Sequence, residues 1–143
     1  MPHRAISSII RNQSVATAKR TQTVRAAAQI MAMQHIGALL VVDENNLVGI
    51  FTERDALFRV IAEGLDPNKT RVDDVMTRDP QTITADKPLG HALHMMYEGG
   101  FRHVPVVRDG HPIGIVSTRD ALGPELREFV TEMETREHIG EIL

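Results

Sequence analysis

The chain of 143 residues lacks cysteine and tryptophan, and its aromatic residues are limited to four phenylalanines and one tyrosine. Without cysteine it can form no disulfide, thiol nucleophile or cysteine-ligated metal centre. This suits a reducing compartment, so we expect a cytoplasmic protein. The few rings leave little surface for stacking on bases, and at a net charge of -3 no basic patch is evident. Nucleic acid is therefore not an expected partner.

Long hydrophobic runs are also absent. No stretch of about 18 apolar residues occurs, and the apolar segment at residues 6–10 is far shorter than that of a signal peptide. We therefore expect a soluble protein that is neither exported nor embedded in a membrane. An apolar content of 42% is nevertheless enough for a hydrophobic core in a chain of about one domain.

Sequence motifs of catalysis are missing as well. The chain holds no P-loop, nucleophile elbow, Gly-x-Gly-x-x-Gly segment or Ser-His-Asp order. His91 and His94 lie three residues apart on a predicted helix, but paired helical histidines are usually surface or interface residues. We expect neither an enzyme nor a metal site.

What the chain does contain is an internal repeat. Residues 49–57 (Gly-Ile-Phe-Thr-Glu-Arg-Asp-Ala-Leu) return as residues 114–122 (Gly-Ile-Val-Ser-Thr-Arg-Asp-Ala-Leu), with six of nine positions identical. The same offset of 65 residues aligns 39–42 with 104–107 without a gap. A long unit that occurs only twice predicts a duplicated supersecondary structure whose halves bury a face against each other, because a solenoid needs three or more repeats.

Hydrophobic patterning predicts the order βαββα in each copy. In the first copy, apolar residues recur at helical spacing over 24–34, two short apolar segments flank the turn-forming residues 43–46, and a helix begins at Thr52. The elements predicted for the second copy are a strand at 81–84, a helix at 88–98, strands at 104–107 and 112–116, and a helix from Ser117. The fold class is therefore α/β (α+β).

A segment with glycine and proline placed to end a helix separates the two copies. We therefore assign residues 6–62 to the first unit, 63–71 to a linker and 72–123 to the second unit.

The remaining residues, 124–143, are predicted to form a C-terminal amphipathic helix. Its apolar stripe consists of Leu126, Phe129, Val130, Met133 and Ile139, with the glutamates largely off it. We expect this face to pack on the module or on a second subunit, and docking of another protein is the alternative.

The duplicated unit resembles a tandem pair of CBS domains, also called a Bateman module. The resemblance rests on residues 102–107 (Arg-His-Val-Pro-Val-Val) and on the two Gly-Ile-x-Thr/Ser-x-Arg-Asp runs, and it covers residues 6–122. It implies a small stand-alone CBS-domain protein whose two units pack by their sheets about a pseudo-twofold axis. It also implies two clefts, which in many members of the family bind adenosine-containing ligands and regulate other proteins.

The repeated motif carries side chains suited to such a ligand. The hydroxyl residue begins a helix directly after a strand, where free N–H groups and the helix dipole favour phosphate. The aspartate can accept hydrogen bonds from both ribose hydroxyls, and the arginine can pair with phosphate through its planar fork. The candidate contacts are Thr52, Arg54 and Asp55 in the first copy and Ser117, Thr118, Arg119 and Asp120 in the second.

The same residues also fit a capping box, in which Thr or Ser caps a helix and an acidic residue three positions later bonds back. Capping explains the hydroxyl and the carboxylate, but it explains neither the arginine nor the glycine three residues before the hydroxyl. Because both features occur twice, we favour a nucleotide contact, and the two roles are compatible.

The resemblance also assigns residues to each cleft. The Asp55 cleft is expected to include Ile50, Ile36, Ala38, Gln81 and Thr82, and the Asp120 cleft to include Ile115, Phe101, His103, Ala16 and Thr17. Arg102 and His103 occupy the positions of Gly37 and Ala38 in the first copy. We therefore expect the Asp120 cleft to hold phosphate more tightly.

Two functions fit these features. In the first, AMP, ADP, ATP, NAD(H) or S-adenosylmethionine binds as a ligand, with no cofactor required. Differential affinity for two shapes then alters the activity of a regulated protein. In the second, the clefts are empty and the chain is a structural module for dimerisation or protein interaction. The resemblance implies a homodimer that assembles through its helices.

Overall fold

The computed structural model describes residues 3–142, apart from the side chains of 124–127 and 141–142. The helices are α1 (Ile6–Ile10), α2 (Val24–Gln34), α3 (Glu53–Asp55), α4 (Val72–Val75), α5 (Leu89–Gly99) and α6 (Gly123–Ile142). The strands are β1 (Thr17–Lys19), β2 (Ala38–Asp43), β3 (Asn46–Thr52), β4 (Thr77–Arg78), β5 (His103–Arg108) and β6 (His111–Ser117). Helix α3 continues as a π-helical segment, Ala56–Ile61, and a 3-10 turn, Thr118–Leu122, links β6 to α6.

The predicted mixed α/β class is confirmed. One sheet has the order β1-β2-β3-β4, in which β1 is parallel to β2 and the other pairs are antiparallel. The second sheet contains β5 and β6. Within residues 3–142, no helix is both long enough and apolar enough to cross a membrane.

Both predicted hairpin turns are confirmed. Glu44 and Asn45 have φ angles of 49° and 67°, and Asp109 and Gly110 have 52° and 81°. Two consecutive residues with positive φ match the twist of the flanking strands, which explains the residue types at these loops. The two turns also meet each other, because Leu47 N–H donates to Gly110 O at 3.0 Å.

The strand predicted at 81–84 is reduced to one parallel bridge between Ile83 and Val106. Ile83 N–H donates to Pro105 O, and Val107 N–H donates to Ile83 O, each at 3.0 Å. Gln81 and Thr82 form no strand pairing, so pairing begins only at Ile83.

Each unit buries the first helix of the other. The core of the first sheet includes Val72 and Val75 of α4 together with Met76. The core of the second sheet includes Ile6 and Ile10 of α1. The first helix of each sequence repeat therefore packs in the core of the other repeat, so each core is completed by a segment from the other half of the chain.

The repeated glycine lies where these exchanged helices contact the strands. A Cβ on Gly114 would lie 2.6 Å from Cγ2 of Ile10, and a Cβ on Gly49 would overlap the side chain of Met76. Ile10 and Met76 occupy corresponding positions in the two copies. Close packing therefore explains the glycine that a capping box left unexplained.

Replacing Gly114 by alanine is expected to destabilise the protein by about 1–3 kcal/mol, because the added methyl overpacks the contact with Ile10. Thermal unfolding should show a midpoint lower by about 4–12 °C. The matched control is Gly140→Ala on α6, where a Cβ meets nothing within 4 Å. An unchanged midpoint in Gly114→Ala would show that this contact relaxes without cost.

The C-terminal helix is confirmed, and the residues of its predicted stripe whose side chains the structure describes are exposed rather than packed on the module. Phe129, Val130 and Met133 are all exposed, and Leu126 falls among the side chains outside the described ones. Ile139 lies six residues beyond Met133 and therefore on a different face. The predicted stripe is thus confined to the first half of the helix.

Candidate functional site

The first strand-to-helix junction forms the capping box. Thr52 N–H donates to Asp55 Oδ2 at 3.0 Å, and Asp55 N–H donates to Thr52 Oγ1 at 3.2 Å. The Thr52 hydroxyl also donates to Asp55 Oδ2 at 3.1 Å, and Arg59 Nε lies 3.5 Å from Asp55 Oδ1. Asp55 is 7% exposed, so both of its oxygens are engaged within the fold.

The second junction leaves its carboxylate more available. Ser117 N–H donates to Asp120 Oδ2 at 2.7 Å. Among the residues that the structure describes, no donor is paired with Asp120 Oδ1, and the residue is half-buried. Oδ1 of Asp120 is therefore available as an acceptor for a ligand, whereas Oδ1 of Asp55 has the Arg59 guanidinium at 3.5 Å.

The backbone N–H groups at the junctions are less available to phosphate than predicted. Glu53 N–H donates to Gly37 O at 3.0 Å, and Thr118 N–H donates to Arg102 O at 3.1 Å. Recognition of phosphate at these junctions would fall mainly to arginine side chains.

The Asp55 cleft has a volume of about 500 Å³ and is bounded by both units. Five of the predicted contacts line it, namely Ile50, Thr52, Arg54, Asp55 and Gln81. Arg54 is exposed, with Cζ 5.9 Å from the centre of the Phe58 ring. Arg59 also lines the cleft and was missed, although its position four residues after Asp55 was a usable signal.

The Asp120 cleft is larger, about 1370 Å³. The predicted contacts that line it are Ala16, Arg102, His103, Ile115, Ser117, Thr118, Arg119 and Asp120. Arg4 also lines this cleft, and its guanidinium donates to the backbone oxygen of Asp120. Arg4 is 116 residues from Asp120, and no local pattern in the sequence indicates it.

The assignment of several residues to clefts was wrong. Ile36 and Ala38 line the Asp120 cleft, and Phe101 lines the Asp55 cleft. The start of β2 faces the other unit because the sheets pack across the pseudo-twofold axis, where Ala38 is buried in one cluster with Ile115. Residues at the start of β2 therefore line the cleft of the second unit's aspartate, and Phe101, just before β5, lines the cleft of the first unit's aspartate.

Thr17 and Thr82 line neither cleft. Their neighbours Ala18 and Ile83 are buried in the two cores, and both threonines are exposed. Successive side chains of an extended segment point in opposite directions, so the threonines face solvent.

Arg102 and His103 line both clefts rather than the Asp120 cleft alone. Arg102 Nη2 lies 3.8 Å from Oε1 of Glu53, and both side chains are exposed. Burial lowers the pKa of His103, and the charge of Arg102 lowers it further, so the ring is neutral near pH 7. These residues no longer support a preference for one cleft, but the free oxygen of Asp120 does.

Gln13 lines the Asp120 cleft and makes contacts that have no counterpart in the first unit. Its side-chain amide donates to Ile115 O at 2.8 Å and accepts from Ile115 N–H at 2.9 Å. In the first unit, the corresponding edge at Ile50 is covered by backbone pairing with Thr77 of β4. One side chain thus replaces a strand at the edge of β6.

The repeated fold, the paired clefts and the two junctions define the family. A family model described as CBS domain matches residues 6–62 and 72–123. The chain belongs to the CBS domain family. Among curated relatives, this CBS pair is 39% identical over 114 residues to CBS domain-containing protein CBSCBSPB1 of Arabidopsis thaliana. That match covers 78% of the chain but 21% of the relative, so the chain spans about a fifth of that longer protein.

Solved structures of CBS-domain proteins share the architecture. A protein with CBS domains from Burkholderia ambifaria superposes with a TM-score of 0.80 at 29% identity, covering 87% of this chain and 95% of that one. A CBS domain protein from Pyrobaculum aerophilum, solved in complex with AMP, has a TM-score of 0.72 at 25% identity and covers 80% and 88%. A relative at this level of similarity therefore binds an adenine nucleotide.

Proposed function

We propose that this CBS pair is a regulatory, non-catalytic module that binds an adenosine-containing nucleotide in its Asp120 cleft. One observation carries the proposal: Asp120 is held through Oδ2 by Ser117 N–H at 2.7 Å and keeps Oδ1 available. A carboxylate oriented in this way can accept from ribose hydroxyls. The AMP complex of the Pyrobaculum relative supports the ligand class.

Phosphate would be bound by arginines around the same cleft. The cleft is lined by three arginines, Arg4, Arg102 and Arg119. It is also lined by two acidic residues, Glu53 and Asp120. Guanidinium groups pair with phosphate oxygens through two parallel hydrogen bonds. The proposed ligands are AMP, ADP or ATP, with NAD(H) and S-adenosylmethionine as further adenosyl candidates.

The signal would be a change in the angle between the units. Ala38 and Ile115 come from opposite units and line the same cleft, so a bound ligand bridges the two. A ligand with higher affinity for one angle shifts the population toward it, and a regulated protein responds.

The proposed organisation of the chain is a first unit at 6–62, a linker at 63–71, a second unit at 72–123 and a C-terminal helix at 124–143. We propose that two copies form a homodimer.

A structural role is the second candidate, and the Asp55 junction favours it. There the threonine hydroxyl and both carboxylate oxygens are engaged within the protein. This cleft therefore resembles a rigid interface between units more than a ligand site.

The test is thermal unfolding of the full chain with AMP, ADP, ATP, NAD, NADH and S-adenosylmethionine. A ligand at 100 times its dissociation constant should add about 2.7 kcal/mol to the free energy of unfolding, which raises the midpoint by several degrees. Guanosine monophosphate is the matched control for the base. No shift with any adenosyl ligand would favour the structural role.

A further inference from the structure

A charged pair from opposite units borders both clefts. Glu53 begins α3, and Arg102 immediately precedes β5. Oε1 of Glu53 lies 3.8 Å from Nη2 of Arg102, and the two side chains are 67% and 59% exposed. Both residues line the Asp55 cleft and the Asp120 cleft. Because an exposed ion pair contributes little to stability, a ligand can replace either partner at small cost to the fold.

The repeat makes the surroundings of this pair asymmetric. Glu53 N–H donates to Gly37 O at 3.0 Å. In the second copy, Thr118 N–H donates to Arg102 O at 3.1 Å. The two contacts are equivalent in the repeat, but the first carries an anionic side chain and the second a cationic one. All four residues line the Asp120 cleft, so a ligand there meets both charges.

Gly37 explains where the carboxylate of Glu53 lies. A Cβ on Gly37 would lie 3.1 Å from Oε1 of Glu53 and 3.3 Å from its Cδ. The carboxylate therefore packs against the backbone just before β2, in space that a side chain at residue 37 would fill. It lies between this backbone and the guanidinium of Arg102, at the wall of the Asp120 cleft.

The charges around the Asp120 cleft are nearly balanced. Among the described residues, three arginines line it, Arg4, Arg102 and Arg119, together with the carboxylates of Glu53 and Asp120. In the proposed complex, Asp120 accepts from ribose and a first phosphate pairs with guanidinium groups. A second or third phosphate brings more negative charge beside the Glu53 carboxylate, and like charges repel more strongly in a cavity than in open water. The cleft therefore suits a ligand with one phosphate better than a triphosphate.

We propose that Glu53 is a specificity-determining residue of the Asp120 cleft, which selects AMP over ATP by repelling the additional phosphate groups. Arg102 exchanges the Glu53 carboxylate for the phosphate of the ligand, and the released carboxylate opposes any further anion. The inference rests on the proposed function, because it concerns the ligand of the same site. It assigns the choice of ligand to a residue in the opposite unit from Asp120.

The test compares AMP, ATP and adenosine by titration calorimetry on the full chain and on Glu53→Gln, with a chelator and no Mg²⁺. We expect the wild type to bind AMP more tightly than ATP. In Glu53→Gln, the affinity for ATP should rise about 10-fold, because one like charge is removed beside the added phosphates. The affinity for AMP should rise about 3-fold or less, through release of Arg102 from an exposed pair. Adenosine has no phosphate, so its affinity should not change.

Glu63→Gln is the matched control. Glu63 is exposed and lines neither cleft, so this variant removes one negative charge from the chain without changing the site. Its affinities for the three ligands should equal those of the wild type. Added salt should reduce the gain in ATP affinity of Glu53→Gln, because ions screen the repulsion that the substitution relieves.

The outcomes separate this inference from the proposed function. An equal ratio of ATP to AMP affinity in the wild type and Glu53→Gln would overturn the role of Glu53 and leave the nucleotide site standing. Tighter binding of ATP than of AMP by the wild type would do the same. Weaker binding of ATP by Glu53→Gln when Mg²⁺ is restored would show that the carboxylate holds a metal ion with the triphosphate. Absence of binding by all three ligands in both proteins would overturn the proposed function and this inference with it.

Discussion

Replacing Asp120 by alanine is expected to weaken nucleotide binding about 100-fold or more. Two ribose hydroxyls that donate to a carboxylate contribute about 1.5–3 kcal/mol each. Their loss therefore amounts to about 3 kcal/mol at the least, and each 1.4 kcal/mol is a factor of ten in the dissociation constant. Titration calorimetry with AMP and with ATP, on the full chain and on Asp120→Ala, measures the effect directly.

Asp55→Ala is the matched control in the other copy. Because the acceptors of Asp55 are engaged by Thr52 and Arg59, its loss should change the affinity less than about 5-fold while lowering stability by about 1 kcal/mol through the lost cap. The opposite pattern, with affinity lost in Asp55→Ala and kept in Asp120→Ala, would place the nucleotide in the Asp55 cleft.

Replacing Asp73 by asparagine is expected to destabilise the protein by about 2 kcal/mol. The amide loses the charge and the two hydrogen bonds to Oδ2, keeps an acceptor for Arg71 Nε at Oδ1, and the half-exposed guanidinium groups are partly screened by water. Asp73 is 4% exposed. Its Oδ2 accepts from Arg71 Nη2 at 2.7 Å and from Arg20 Nε at 3.2 Å. Arg78 donates to its backbone oxygen at 2.8 Å. This network anchors α4, which completes the core of the first sheet. Urea unfolding at pH 7 measures the difference.

The pH dependence of this difference tests the cause. Burial raises the pKa of Asp73, but hydrogen bonds from Arg71 and Arg20 outweigh it and hold the pKa below its usual range. A carboxyl with a lowered pKa contributes stability above the pKa of the unfolded chain, about 3.9, and loses it as pH falls through the folded value. The gap between wild type and Asp73→Asn should therefore be constant above about pH 5 and shrink below about pH 4.

Asp43→Asn is the control for this network. Asp43 also pairs with Arg20, at 3.3 Å, but it is exposed, and surface ion pairs contribute about 0–1 kcal/mol. A loss in Asp43→Asn as large as in Asp73→Asn would mean that Arg20, rather than burial of the carboxylate, supplies the stability.

The elements could be predicted because their causes are local. The hairpin turns at 43–46 and 108–111 follow from residues that tolerate positive φ, and α2 and β2 follow from the spacing of apolar residues. The capping at Thr52 and Asp55 was also visible, since it joins positions only three apart. The first strand of the second copy was overpredicted because apolar pattern does not show which backbone groups find a partner.

The membership of the clefts could not be predicted in the same way. Ala38 and Phe101 were assigned to the wrong cleft because the repeat shows which residues correspond, and not which unit they face. Arg4 and Gln13 contact Asp120 and Ile115 from more than 100 residues away. Such contacts arise only when both units are packed.

The sequence by itself determined the duplication, the family and the residue types at each junction. Each motif and each turn depends on residues close together in the chain, and the repeat is visible by aligning the two copies. Only the tertiary structure decided which helix completes which core and which aspartate keeps a free oxygen. Near-identical motifs differ in their surroundings, since Oδ1 of Asp55 has the Arg59 guanidinium at 3.5 Å while Oδ1 of Asp120 is paired with no donor among the described residues. Packing across the pseudo-twofold axis made two similar sequences into two unequal sites.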